Sequence, residues 1–377
     1  MDKASSSPIA APLGVALVGF GYAGATIHAP LLASTPGLAL RVVVSRQPAA
    51  VHAALGPAVQ VLDDPAQLFG RPDIALVVLA SPNATHAPLA AAALRAGHAV
   101  VIDKPMALNA DEAAPLLDLA AQQGRLLSVF HNRRWDGDFL TARALVAAGT
   151  LGRVTAAQLH FDRFRPQVRA RWREGDGPGA GLYLDLAPHL LDQALQLFGA
   201  PVALAGDIDQ ARPGGRSDDA FTLRLRQADG ARITLSASML AALAGPRFAL
   251  HGTQGSWVTQ DLDAQEEALK AGQRPDPAQP QHWGQASSEG VLCVSADPAV
   301  APLPRAWPNQ AGRWPDYYAG IRDALWGRAA NPVPAAQALA VLALMDLGRR
   351  SAELRAELAV PEAVQALAAA TDHPLHR

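Results

Sequence analysis

The chain has 377 residues, of which 50% are hydrophobic and 18% charged, with a formal net charge of −2. One core rarely grows that large, so two domains are expected, and the composition excludes a disordered chain. With Lys and Arg read as scattered, no basic face for nucleic acid or for an anionic membrane is expected.

Residues 1–12 are small and polar, with Ser5, Ser6 and Ser7, and lack the charged-then-apolar order of a secretory signal. The single cysteine, Cys293, rules out an internal disulfide and fits a cytoplasmic setting. No run is long and apolar enough to span a membrane.

The first third alternates strand-like and helix-like segments. Residues 15–18 form an apolar run that ends in glycines, and 25–33 read as a helix kinked or begun by Pro30. Val-rich residues 38–45 and residues 74–80 read as buried strands. Residues 87–96 form a helix stopped by Gly97, and 98–103 another strand. Asn109 caps a helix over 109–123 that Gly124 ends, and 126–130 is a further strand. Apolar strands between helices predict an α/β fold: a doubly wound parallel Rossmann sheet over residues 1–130.

The pattern then changes. Phe221, Leu223 and Leu225 alternate with polar residues, as do Ile233, Leu235 and Ala237, around an Asp229-Gly230 turn. Residues 154–161 and 248–250 add strands, 271–290 reads as a long loop and 335–357 as a helix. Residues 131–377 are therefore expected to form an α+β domain with an open, mostly antiparallel sheet.

Gly19-Phe20-Gly21-Tyr22-Ala23-Gly24 matches G-x-G-x-x-G between a strand and a helix. Gly19 permits a tight turn, Gly21 lets a pyrophosphate approach the backbone, and Gly24 lets helix and strand pack. The alternative is a ligand-free glycine turn. The second strand ends in Ser45 and Arg46, where an NAD-selective site would place an acid. These residues can hold a 2′-phosphate, so NADP is expected over NAD, unless Arg46 is simply a solvated loop residue. Ser81, Asn83 and His86 follow the third predicted strand and could touch ribose or nicotinamide; His86 could equally face water.

Asp103-Lys104-Pro105 ends a strand that points Lys104 into the expected crevice. Oxidising an alcohol releases a hydride and a proton, and the proton needs a base in hydrogen-bond reach. A cationic nicotinamide disfavours the ammonium form, so Lys104 could bind the hydroxyl or relay its proton; it could also be a surface lysine. Pro188 is expected in the first turn of a helix, where Asp185 and His189, four apart, meet on one face. Asp185 could orient the imidazole of a base, or cap a helix beside a core histidine. Asn132, Arg134 and Trp135 suit polyol hydroxyls, or form an interdomain linker. His160, Asp162, His189 and Asp192 show no metal-ligand pattern, and no G-x-S-x-G elbow occurs.

The glycine motif, Ser81-Pro82-Asn83-Ala84-Thr85-His86, Asp103-Lys104-Pro105 and Asp185-Leu186-Ala187-Pro188-His189 stand in the order seen in the glucose–fructose oxidoreductase/inositol dehydrogenase/MocA (Gfo/Idh/MocA) family, which nearly the whole chain resembles. Residues 129–136 and 268–272 look like its NADP-dependent scyllo-inositol dehydrogenase branch. The resemblance implies a Rossmann domain and a second domain whose open sheet often joins subunits, hence a homodimer or homotetramer. It assigns Lys104, Asp185 and His189 to catalysis on a sugar or cyclitol hydroxyl, or its ketone. Asp103 replaces the family's usual glutamate, which puts that carboxylate's role in doubt, and Ala187-Pro188 is a milder departure. Two alternatives stand beside this reading: a non-catalytic dinucleotide-binding regulator, of which the same family contains an example, and nicotinamide-assisted glycoside hydrolysis.

Overall fold

A computed structural model describes residues 11–260, 262–286, 288–295 and 302–370. Most of the polar opening segment lies outside these residues. Six parallel strands form the first sheet: β1 (Leu13–Val18), β2 (Leu38–Val44), β3 (Gln60–Leu62), β4 (Leu76–Leu79), β5 (Ala99–Ile102) and β6 (Leu127–Val129). Their order is β3-β2-β1-β4-β5-β6, which reverses direction of winding between β1 and β4. β4 and β5 are buried at every position, as a sheet covered on both faces requires. Each fully buried Val, Leu or Ile contributes about 1.5–3 kcal/mol, so these short strands hold by packing rather than by length.

The helix expected from residue 25 starts earlier and is not uniform. A widened turn over Ala23–His28, with Ala29 N–H bonded to Gly24 O, leads into α1 (Ala29–Ala33). The i→i−5 bonding absorbs Pro30, which has no N–H to give a regular turn. α2 (Pro48–Leu55), α3 (His86–Arg95) and α4 (Ala110–Gln122) complete the winding. Asn109 caps α4 as expected, its Oδ1 accepting Glu112 N–H at 2.9 Å.

After α5 (Gly137–Ala147), β7 (Val154–His160) and α6 (Leu182–Phe198), the chain forms β8 (Ala203–Asp209), β9 (Ala220–Arg226), β10 (Arg232–Ser238), β11 (Phe248–Gly252) and β12 (Gly255–Thr259). α7 (Gln265–Lys270) and a short turn at Pro280–His282 occupy the predicted loop region, before β13 (Glu289–Val294) and β14 (Arg305–Pro308). α8 (Pro315–Leu325), α9 (Ala335–Leu354), β15 (Leu358–Ala359) and α10 (Glu362–Ala369) follow. The second sheet runs β14-β13-β12-β11-β7-β10-β9-β8-β15. Only its β7–β10 pair is parallel among the described strands. The Asp229-Gly230 turn closes the β9–β10 hairpin, with Gly230 at φ +85°. α6 and α9 cover one face of the sheet; Thr222, Arg224, Thr234 and Ser236 point to the other.

Pro188 does not open its helix. α6 begins six residues earlier, after Gly181 at φ +104°, because Asp218 Oδ2 accepts Tyr183 N–H at 2.6 Å. That cap lies 35 residues downstream, beyond any local sequence signal.

Candidate functional site

A cleft of about 1080 Å³ opens between the C-terminal ends of β1, β2, β4 and β5 and the β7–α6 segment. Gly19, Phe20, Gly21, Tyr22 and Ala23 line it, together with Ser45 and Arg46 after β2 and Ser81 and Asn83 after β4. The three glycines differ in what surrounds them. Gly19 sits at φ +99°, where an added Cβ would lie 2.5 Å from Ala80 O. A Cβ on Gly24 would lie 2.1 Å from Gly19 O, so helix and turn are in direct backbone contact. Gly21 has nothing within 4 Å of that position. The turn, the close packing and the open approach all match what a dinucleotide pyrophosphate needs at a helix N-terminus. Arg46 is exposed and makes no ion pair among the described residues.

His86 does not line this cleft. It is 1% exposed, with Nδ1 2.8 Å from Pro105 O and Nε2 2.9 Å from Ser81 O. It joins the loop after β4 to the loop after β5 instead of facing a ligand. Asn83 lines the cleft and also donates to Gly179 O at 3.2 Å, linking the two halves of the chain.

Lys104 reaches across the cleft to the start of α6. Its Nζ donates to Asp185 O at 2.7 Å and to Asp185 Oδ1 at 3.0 Å. An ammonium has three protons, so one remains for a ligand oxygen. Burial alone would raise the Asp185 carboxyl, but Lys104, Arg173 and Arg163 override it and hold the group well below the usual range. Asp185 and His189 do stand one turn apart on α6, yet the carboxylate bonds Lys104 and makes no hydrogen bond to the imidazole. The cations near Asp185 draw it away. His189 lines the same cleft, 5% exposed, with Nδ1 buried and unpartnered. Burial first, then the charges of Lys104 and Arg133, push its imidazole well below the ordinary histidine range, so it is neutral near pH 7.

Below Lys104, the Asp103 carboxylate accepts Lys104 N–H at 2.9 Å and lies 3.6 Å from His28 Nε2. Burial opposes its ionisation, but His28 and then Lys104 bring it down to about 2. His28 in turn meets Tyr318 OH at 2.6 Å.

Of Asn132, Arg134 and Trp135, only Asn132 lines the cleft. Arg134 is 6% exposed and bonds Asp192 with Nε and Nη2. Removing one partner of such a buried pair costs about 3–5 kcal/mol, which marks it as structural. Trp135 packs edge-on against Tyr317 at 5.6 Å. The neighbouring Arg133 lines the cleft instead, donating to Asp136 at 3.0 Å and to Glu266 at 2.7 Å. Glu266 on α7 also accepts Tyr22 OH at 2.7 Å, so α7 is tied directly to the glycine-rich turn.

Arg163, Arg165, Arg169, Arg171 and Arg173 all line the cleft. Five arginines in eleven residues were readable as a charge run, and they correct the expectation of scattered cations. The basic surface is concave and lies inside the site.

A two-domain oxidoreductase with a dinucleotide-binding Rossmann sheet is the class that this fold and cleft define. The chain belongs to the Gfo/Idh/MocA family. The family's NAD-binding Rossmann domain matches residues 13–131, and its C-terminal domain matches residues 139–258. The chain is 50% identical to the uncharacterized oxidoreductase YdgJ of Escherichia coli K12, over 91% of this chain and 97% of that one. It is 32% identical to scyllo-inositol 2-dehydrogenase (NADP(+)) IolW of Bacillus subtilis, over 90% and 93%. A solved oxidoreductase from Bacillus cereus superposes with a TM-score of 0.82 at 26% identity, covering 93% of this chain and 99% of that one. Among the described residues no helix is long and apolar enough to cross a membrane, and no cluster of His, Cys, Asp and Glu could hold a metal.

Proposed function

We propose that the protein moves a hydride between NADP(H) and a carbinol carbon of a sugar or cyclitol, or its ketone. The observation that carries this reading is the convergence of Lys104, from the Rossmann half, and His189, from α6, on one cleft beside the glycine-rich turn. Bound there, the nicotinamide supplies the hydride acceptor or donor. Lys104, held by Asp185, presents its remaining N–H to the substrate oxygen and polarises it. His189, neutral and desolvated, takes the hydroxyl proton in oxidation and returns it in reduction. Asp185 positions Lys104 rather than His189.

Arg46 and Ser45 favour NADP, since no acid at the end of β2 repels a 2′-phosphate. The name of the IolW relative, which specifies NADP and a cyclitol, supports the same choice. We assign residues 1–130 to the dinucleotide domain and 131–377 to a substrate domain, whose open sheet face is the proposed surface for a dimer or tetramer. A spectrophotometric polyol panel with NAD⁺ and NADP⁺ in parallel tests the reading. Lys104→Ala should lose about 10²–10⁴ in turnover while NADP⁺ still binds. Undiminished turnover removes Lys104 from the chemistry, and a strong NAD⁺ preference removes the role given to Arg46.

A further inference from the structure

The wall of the cleft facing Lys104 carries more positive charge than its carboxylates can neutralise. Lys104, Arg163 and Arg173 all share Asp185, with the arginine Nη1 atoms each 3.8 Å from it. Arg171 is paired with Glu174 at 2.6 Å, and Glu174 also serves the buried Arg212 at 3.0 Å. Asp162 is turned away, toward Gly245 N–H at 2.9 Å and His160 at 3.2 Å. Arg165 and Arg169 are left with no ion pair among the described residues, although both line the cleft. Burial, and then the charges of Arg163, Arg169 and Arg171, push the Arg165 guanidinium below its ordinary value.

This crowding is built into the fold. Arg212, 4% exposed and bonded to Asp219 at 2.9 Å, donates to the carbonyls of Arg165 at 3.1 Å and Gln167 at 3.3 Å. Arg165 N–H is fixed to Met239 O at 2.7 Å. The backbone that carries Arg165 is therefore held in place by a buried network. Trp172, 50% exposed, adds a ring face to the same wall.

A guanidinium only donates hydrogen bonds; a hydroxyl can accept one but brings a proton that needs its own acceptor, whereas ionised phosphate and carboxylate oxygens only accept. Two guanidiniums without an ion pair among the described residues, in a wall of net positive charge, match phosphate or carboxylate oxygens better. Arg163 and Arg173 place the cluster beside Asp185 and Lys104, whereas Ser45 and Arg46, the candidates for the coenzyme's 2′-phosphate, follow β2, which β1 and β4 separate from β5 and Lys104. We propose that the substrate carries an anionic group, a phosphate ester or a carboxylate, which Arg165 and Arg169 hold while its carbinol lies at Lys104 and His189. This rests on the dehydrogenase reading above and narrows its substrate class.

The test compares matched compounds as substrates with NADP⁺: myo-inositol against its 1-phosphate, and D-glucose against D-glucose 6-phosphate and D-glucuronate. At least one anionic member should exceed its neutral partner tenfold or more in kcat/KM, and the phosphate and carboxylate arms say which group is preferred. Arg165→Gln and Arg169→Gln should each cut that ratio about tenfold by raising the KM of the anionic compound, with the KM for NADP⁺ held. Arg165→Lys should restore part of the ratio. Equal or better use of the neutral members overturns the proposal and leaves the dehydrogenase reading intact. A rise confined to the KM for NADP⁺ also overturns it, by giving the arginines to the coenzyme. If no compound is oxidised, titration calorimetry of the same phosphates and D-glucuronate into the NADPH complex decides. Arginine-dependent binding upholds the anion site while the dehydrogenase reading falls; no binding defeats the anion site.

Discussion

Single side chains set the electrostatics of the cleft, and Glu266 shows how. It accepts hydrogen bonds from Tyr22 and Arg133 and lies 3.3 Å from Lys270. Burial would raise its carboxyl, but Arg133, Tyr22 and Lys270 bring it from 4.5 down to about 2. A carboxyl depressed in the folded state stabilises that state fully above its unfolded value and progressively less as pH falls toward the folded one. Stability should therefore hold above about pH 5 and decline by on the order of 1–3 kcal/mol between pH 5 and pH 2 on account of this group. Urea denaturation across that range should show a shallower decline for Glu266→Gln than for the parent chain. Equal declines would mean that the ionisation of Glu266 adds nothing to stability. The same residue also shows why adjacent arginines mislead a reader of sequence. Arg133 and Arg134 lie on one tight turn, Asn132–Trp135, and leave it toward different partners, Glu266 and Asp192.

At the scale of the elements, the glycine-rich turn separates two kinds of glycine. Gly21→Ala places its methyl in open cleft space, so the melting temperature should hardly change, whereas NADP⁺ affinity should fall at least tenfold as the backbone loses its close approach. Gly24→Ala drives a methyl into Gly19 O, so the thermal midpoint itself should drop. Differential scanning fluorimetry with and without NADP⁺ distinguishes the two; a large loss of midpoint for Gly21→Ala would contradict the open approach. This turn was legible in the sequence because strand, glycines and helix are contiguous. The buried strands β1, β4 and β5 were legible as apolar runs between turn signals, and β2 by its Val-rich end despite the exposed Arg41 in its middle. β12, β13 and β14 were not, since Gly255, Gly290 and Pro308 dilute their pattern and only their sheet neighbours fix them. The start of α6 was hidden because Asp218, remote in sequence, caps it. The roles of Lys104 and Asp185 were half legible: the residues could be named, but their bond crosses 81 positions and joins different halves of the chain.

For the molecule as a whole, the last third of the sequence returns to the first. Asn331 Nδ2 donates to Leu127 O at 2.9 Å, Ser128 Oγ donates to Val333 O at 3.1 Å, and Ser128 pairs with Pro334 as an isolated bridge on the outer edge of β6. Tyr318 meets His28, and Ala110 N–H donates to Asp346 Oδ2 at 2.8 Å. Residues 1–130 produced alone should therefore lack a sharp thermal transition by circular dichroism, whereas the full chain should unfold with one; a cooperative transition in the fragment would show the returning segment to be dispensable. The same geometry bears on how the protein is made. During synthesis β6 emerges with one edge bare, and the segment that covers it leaves the ribosome only after roughly 200 further residues, tens of seconds at typical elongation rates near the slower limit. Throughout that interval a hydrophobic strand edge is open to pairing with other nascent chains, so yield in a heterologous host should depend on holdase chaperones more than the finished protein's stability would suggest.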